Sequence, residues 1–150
     1  MIGRDDISDL SRFINAQESV YGRVLEELRN GRKRTHWMWY IFPQVDGLGY
    51  STTSKYFAIK NMEEAHAYLS HPVLGPRLFE CAEAVLAIEG RSAANIFDYP
   101  DDLKLQSSMT LFALIAGPDS VFIHILDKYF KGVHDARTLH LLEELKGKKD

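Results

Sequence analysis

Lys33-Arg34-Thr35-His36-Trp37-Met38-Trp39-Tyr40-Ile41-Phe42-Pro43-Gln44 is the stretch on which the fold class turns. It holds both tryptophans of the chain together with a histidine and a glutamine. From Thr35 to Phe42 the aromatic run reads at first as a strand. An isolated strand would leave its backbone N–H and C=O groups unpaired, and no partner strand is evident elsewhere in the chain. The reading is therefore a short helix or helical turn ended by Pro43, which disfavours helical geometry in the residue before it. The same residues mark a candidate site. A tryptophan buries a large ring and carries an N–H that needs a partner when enclosed, so the run suits either a core wedge or the wall of a ligand pocket.

Working outward, 150 residues make one domain, with a core that needs no disulfide or metal to hold it. No interdomain linker is present. A composition 45% hydrophobic and 26% charged places the chain among globular proteins, and no apolar run approaches the roughly 18 residues of a membrane helix. A net charge of -3 and a pI near 6.1 give no overall pull toward nucleic acid, with Arg29, Arg32, Lys33 and Arg34 as the local exception. Cys81 is the only cysteine, which excludes an intramolecular disulfide. Its neighbours Leu78, Phe79, Ala82 and Val85 form a helical stripe in which a packed thiol is expected rather than a nucleophile. Met1-Ile2-Gly3-Arg4-Asp5-Asp6 lacks the apolar core of a signal peptide and the acid-poor look of a transit peptide, so the expected location is cytoplasmic.

Helical periodicity dominates the rest, punctuated by start and stop signals. Ser8 is placed to cap a helix carrying Leu10, Phe13 and Ile14, and Ser19 a second one carrying Tyr21, Val24, Leu25 and Leu28 that stops at Gly31. Gly47, Gly49 and Ser51-Thr52-Thr53-Ser54 read as a loop. Asn61 starts the next helix, and His71-Pro72 restarts the chain into Leu74, Leu78, Cys81 and Val85, closed by Gly90. Ser92 caps a short turn ending near Phe97. Pro100 begins a helix whose positive end suits Asp101 and Asp102 and which runs to Gly117. Pro118 opens one with Val121, Phe122, Ile125 and Leu126, stopped by Gly132, and Asp135 caps the last, before a solvated tail over 146–150. Six to seven short helices with short connections make a compact all-α globule over 1–150.

Tested for chemistry, the six histidines form neither His-Glu-x-x-His nor a Cys/His pair at zinc spacing, so no metal is expected. There is no Gly-x-Ser-x-Gly elbow, and Gly47 and Gly49 lack the strand and helix context of a Rossmann or P-loop phosphate cradle. No cofactor is expected. Lys104, Ser107 and Ser108, at spacings of three and four, share one face of a helix and suit either an anion or sugar hydroxyl, or plain solvent. Arg77, following Gly75-Pro76 inside an apolar helix, is expected to tie to a helix end or a carboxylate.

Taken together, His36-Trp37-Met38-Trp39-Tyr40-Ile41-Phe42-Pro43-Gln44, Gly47-Leu48-Gly49, Glu64-Ala65-His66-Ala67-Tyr68-Leu69, His71-Pro72-Val73-Leu74-Gly75-Pro76-Arg77-Leu78 and Lys104-Leu105-Gln106-Ser107-Ser108-Met109-Thr110-Leu111-Phe112 resemble a bacterial domain-of-unknown-function family, number eighteen-ten. The resemblance runs from Phe13 to Leu142 and implies a compact all-helical single domain. Two positions depart from that pattern: Asp98 stands where a glycine is usual and Gln106 where an arginine is common. The family's older label of calpastatin does not suit a chain this globular. A fainter likeness links Thr52-Thr53-Ser54-Lys55-Tyr56-Phe57-Ala58-Ile59-Lys60 to small helical domains that act on N-glycosidic bonds of ADP-ribose and riboflavin-pathway metabolites. Their glutamate falls at Ser54, which puts the same activity in doubt.

Two expectations stand. One is a small-molecule pocket built from His36, Trp37, Trp39 and Gln44 with Lys104, Ser107 and Ser108 opposite, binding a nucleotide-like or ribose-bearing metabolite with or without hydrolysis. There a tryptophan stacks on a base, Gln44 reads its edge, Lys104 meets a phosphate and His36 is the general acid/base. The other is a non-enzymatic adaptor or structural domain in which the aromatic run is core. RNA binding through Arg29, Arg32, Lys33 and Arg34 ranks behind both.

Overall fold

Ten helices succeed one another along residues 9–148, the part of the chain that the computed structural model describes. In order they are α1 (Ser11–Gln17), α2 (Tyr21–Arg29), α3 (Met38–Ile41), α4 (Thr52–Phe57), α5 (Met62–Ser70), α6 (Leu74–Leu86), α7 (Ala93–Phe97), α8 (Asp101–Ala116), α9 (Val121–Phe130) and α10 (Ala136–Lys148). The all-α expectation holds, and the count of six to seven does not. The additional elements are short. At four, six and five residues, α3, α4 and α7 complete too few turns to print a helical period on the sequence.

α8 is the central helix. Leu105, Ser107, Ser108, Met109, Thr110, Leu111, Phe112 and Ala113 are all buried, so it is enclosed on most sides by α5, α7, α9 and α10. α6 packs on α2, α5 and α9, and α3 sits on α1 beside α4. The aromatic contacts Phe13–Tyr68, Tyr68–Phe112 and Phe112–Phe122 run as one chain through the middle of this assembly. The restart between α5 and α6 is tight. His71 Nδ1 accepts from the Val73 and Leu74 amides, and a Cβ added at Gly75 would lie 2.2 Å from the Leu69 carbonyl oxygen.

Local capping explains half of the helix starts. Asn61 accepts from the Glu64 amide, Ser92 and Asn95 form a reciprocal capping box, and Asp135 Oδ2 accepts from the Thr138 amide at 3.0 Å. Three expectations change. α2 is preceded by Val20, whose apolar side chain makes no cap hydrogen bond, and Ser19 lies outside the helix. Ser51 to Ser54 is a capped helix start rather than loop, with Ser51 Oγ accepting from the Ser54 amide. α10 continues through Lys148, so the tail expected from Lys146 is mostly helical. Ser8 and the Met1–Asp6 reading fall outside the described residues.

Arg77 finds its partners at Gln17 Oε1, Glu18 and the Tyr21 ring. Cys81 is fully buried, and burial pushes its thiol up to about 12. A second buried tie gathers α1, α4 and α5. The Arg12 guanidinium donates to both Glu64 carboxylate oxygens, to the Asp9 carbonyl, and to the Tyr56 and Ala58 carbonyls at 2.7 and 2.9 Å. It thereby pins the end of α4 to α1.

Candidate functional site

The two tryptophans, two residues apart, take opposite roles. Trp37 is 1% exposed, wedged between Phe42 and Phe97, and its Nε1 donates to Glu27. Trp39 is half-buried at the edge of a crevice whose other walls include Gln44, Val45, Gly47, Gly49, Ser54, Phe57 and Ala58. Met38 and Ile41 are the buried face of α3, and an orientation that sinks them into the core turns Trp39 outward.

Above Trp39 stands a cation. Lys104 Nζ lies 5.2 Å from the Trp39 ring centre, and its ammonium is 3.5 Å from Asp101 Oδ1. The opposite oxygen of Asp101 holds Lys33 Nζ at 2.9 Å, and Lys33, its side chain only 7% exposed, lies 5.2 Å from the Trp37 ring centre. One carboxylate thus stands between two ammonium groups, each resting on an indole. Asp101 is nearer Lys33, which leaves Lys104 the more weakly neutralised and the more exposed of the two. The sequence does not single out Lys33 for this position; its only signal there is membership of a basic run.

The other expected site residues separate. His36 is exposed at the start of the α3 turn. Ser107 turns to the far side, donating to the Leu103 carbonyl and to Asp135 Oδ2, where it helps seat α10 on α8. Ser108 is fully buried, and its Oγ has no hydrogen-bond partner among the described residues, unlike Ser107 and Thr110, whose hydroxyls bond the carbonyl four residues back. The structure therefore sets Trp39 and Gln44 on one crevice and Lys104 over the Trp39 ring, places Trp37 in the core, and leaves His36 and Ser107 off the crevice lining. Glu27 is the residue that sequence reasoning missed. It accepts from the Arg34 and Thr35 amides, the Thr35 hydroxyl and Trp37, and so shapes the whole approach to α3.

The crevice itself is narrow, with about 10 Å³ of free space, room for a single water. Gly49 makes that closeness possible, since a Cβ there would stand 2.6 Å from Ser54 Cβ. Larger hollows open elsewhere, including one of about 350 Å³ between Met62, Leu114, Leu142 and Leu145, but none of the expected site residues lines it. Among the described residues no group of three or more His, Cys, Asp or Glu side chains gathers as a metal site would require. No helix among them is long and apolar enough to cross a membrane.

Residues 7–142 match the family model described as protein of unknown function, DUF1810. The chain belongs to the DUF1810 family. A structural relative is the conserved hypothetical protein Rv1873 from Mycobacterium tuberculosis, whose crystal structure superposes with a TM-score of 0.88 at 53% sequence identity, covering 90% of this chain and 96% of that one. No curated protein matches the chain. Asp98 and Gln106, the two positions singled out in the sequence, have visible settings. Asp98 occupies φ 64°, ψ 154°, backbone that glycine adopts far more readily, and Gln106 donates to the Val133 carbonyl at 2.9 Å.

Proposed function

We propose that this DUF1810 domain binds a small anionic metabolite bearing a flat ring, of nucleotide-like or ribose-bearing type, at the rim formed by Trp39, Gln44 and Lys104. The observation that carries the reading is the Lys104 ammonium over the Trp39 indole, a ring that shares its crevice with Gln44. An ammonium, an aromatic face and a donor/acceptor amide are the three groups that recognise a phosphate, a base plane and a base edge. The reading is one of binding. Exposed His36 stands as the candidate acid/base only if turnover is found.

The test is a thermal-shift panel of nucleotides, ADP-ribose, nucleosides, flavin precursors and sugar phosphates, with product chromatography on any hit. A ligand at 100 times its dissociation constant adds about 2.7 kcal/mol, or roughly 5 to 11 °C for a domain of this size. The shift is expected to vanish in Lys104→Met and Trp39→Ala. Silence across the panel favours the adaptor reading, for which the core placement of Trp37 speaks.

A further inference from the structure

A site with room for one water cannot hold a metabolite as it stands, and the crevice walls show which side gives way. Val45 and Ile59 are buried and joined by an isolated parallel bridge, with Asp46 N donating to Ile59 O and Ile59 N to Gln44 O, both at 2.8 Å. The residues between leave the body and return to the same point, the geometry of an Ω-loop. Trp39, Gln44 and Val45 form the body wall of the crevice. Gly47, Gly49, Ser54, Phe57 and Ala58 form the loop wall.

The loop is lightly held. α4 buries none of its side chains, and Tyr50 and Tyr56 are 78% and 59% exposed. Its ties to the body are few. Arg12 donates to the Tyr56 and Ala58 carbonyls, the Phe57 ring stands against Phe13 and Tyr40, Leu48 is half-buried against the core, Arg137 donates to the Gly47 carbonyl, and Leu141 packs by Gly47. Arg12 keeps its Glu64 pair whether or not it holds the loop, so release strands no buried charge. Gly47, at φ +108°, gives one end backbone freedom, while the close approach of Gly49 to Ser54 keeps the tip together as a unit.

We infer that residues 46–58 are a hinged lid latched by Arg12, and that a planar ring with a hydrogen-bonding edge enters beneath it, between Trp39 and Phe57 and against Gln44. This rests on the proposed binding function for its occupant, though the hinge motion is testable without one. Lids of this kind expose their site through local opening far below the cost of global unfolding.

The experiment is thiol labelling of Val45→Cys, with native Cys81 as the internal reporter of global unfolding. Val45 is 1% exposed and on the crevice wall, and Cys81 is fully buried. The introduced thiol is expected to react about 100-fold or more faster than Cys81 in the same molecule, and Arg12→Lys, which loosens the latch and the Glu64 pair alike, is expected to accelerate it further while it stays the faster of the two. Equal rates at the two thiols, or a position-45 rate indifferent to Arg12→Lys, overturn the lid. Should Val45→Cys fail to fold, Ala58→Cys on the same crevice, half-buried when the lid is closed, is read by its acceleration in Arg12→Lys, and a rate unmoved by that change overturns the lid. Fast labelling upholds the lid even when no compound raises the melting temperature. A compound that raises it while the introduced thiol stays as slow as Cys81 overturns the lid and leaves the binding reading intact.

Discussion

The indole N–H of Trp37 donates to Glu27 Oε1 across 2.8 Å, and both side chains are buried. Burial pushes the Glu27 carboxyl up, but donation from the Arg34 amide, the Thr35 hydroxyl, Trp37 and the Thr35 amide outweighs it and holds the group below its usual value. A carboxyl depressed in the folded state contributes stability that is complete above its unfolded value, about 4.3, and that is lost as the pH falls through the folded value. The urea midpoint is therefore expected to hold down to about pH 5 and decline below it. In Glu27→Gln the acid decline should be shallower, and stability at pH 7 lower by about 1–3 kcal/mol, because a carboxamide turns an N–H2 toward donors. An acid limb as steep as the parent's would contradict this.

The tryptophans should separate under truncation. Trp37→Ala empties a close-packed site and leaves Glu27 a donor short, and is expected to cost about 3–5 kcal/mol in equilibrium unfolding. Trp39→Ala removes a half-buried ring and should cost about 1 kcal/mol or less, while abolishing any ligand-induced shift. Equal costs at both positions would place Trp39 in the core.

Asp98→Gly should stabilise. A non-glycine residue at φ 64°, ψ 154° costs about 1–3 kcal/mol. Against this stand the exposed bidentate pair with Arg32, worth about 0–1 kcal/mol, and the greater unfolded freedom of glycine, about 0.4–1 kcal/mol. The net expectation is a gain of about 1 kcal/mol, read as a melting temperature higher by about 2–4 °C. Asp98→Ala, which keeps the strain and loses the pair, should melt lower than the parent.

Gly75→Ala tests the restart of the chain between α5 and α6. The new methyl would meet the Leu69 carbonyl oxygen at 2.2 Å, a backbone atom that cannot rotate away. α6 must shift off α5, and a loss of about 1–3 kcal/mol is expected. A neutral substitution here would mean that the two helices slide more freely than their packing implies.

How far these features were legible depends on how local their causes are. Asn61, Ser92 and Asp135 were readable because a cap and the amide it serves lie within three residues of each other. The α3 turn was readable by elimination, since a lone strand has nowhere to send its hydrogen bonds. α4 was not, because six residues with no buried face carry no period to detect. Trp37 and Trp39 were inseparable until Met38 and Ile41 fixed which side of α3 faces inward. Glu27 looked like any helical glutamate. Its faint signal is the place it takes in the stripe of Val24 and Leu28, where an unpartnered charge would be too costly to keep. The pairing of Lys33 with Lys104 through Asp101 joins residues about seventy positions apart in sequence and has no local trace.

The bridge between Val45 and Ile59 carries a consequence for how this domain could be rebuilt. Because the chain is fastened to itself at that base, whatever lies between is a cassette: its length and lettering can be exchanged while the helices beneath keep their register. Grafting a foreign segment between those two residues should therefore leave the arrangement of the helices in place.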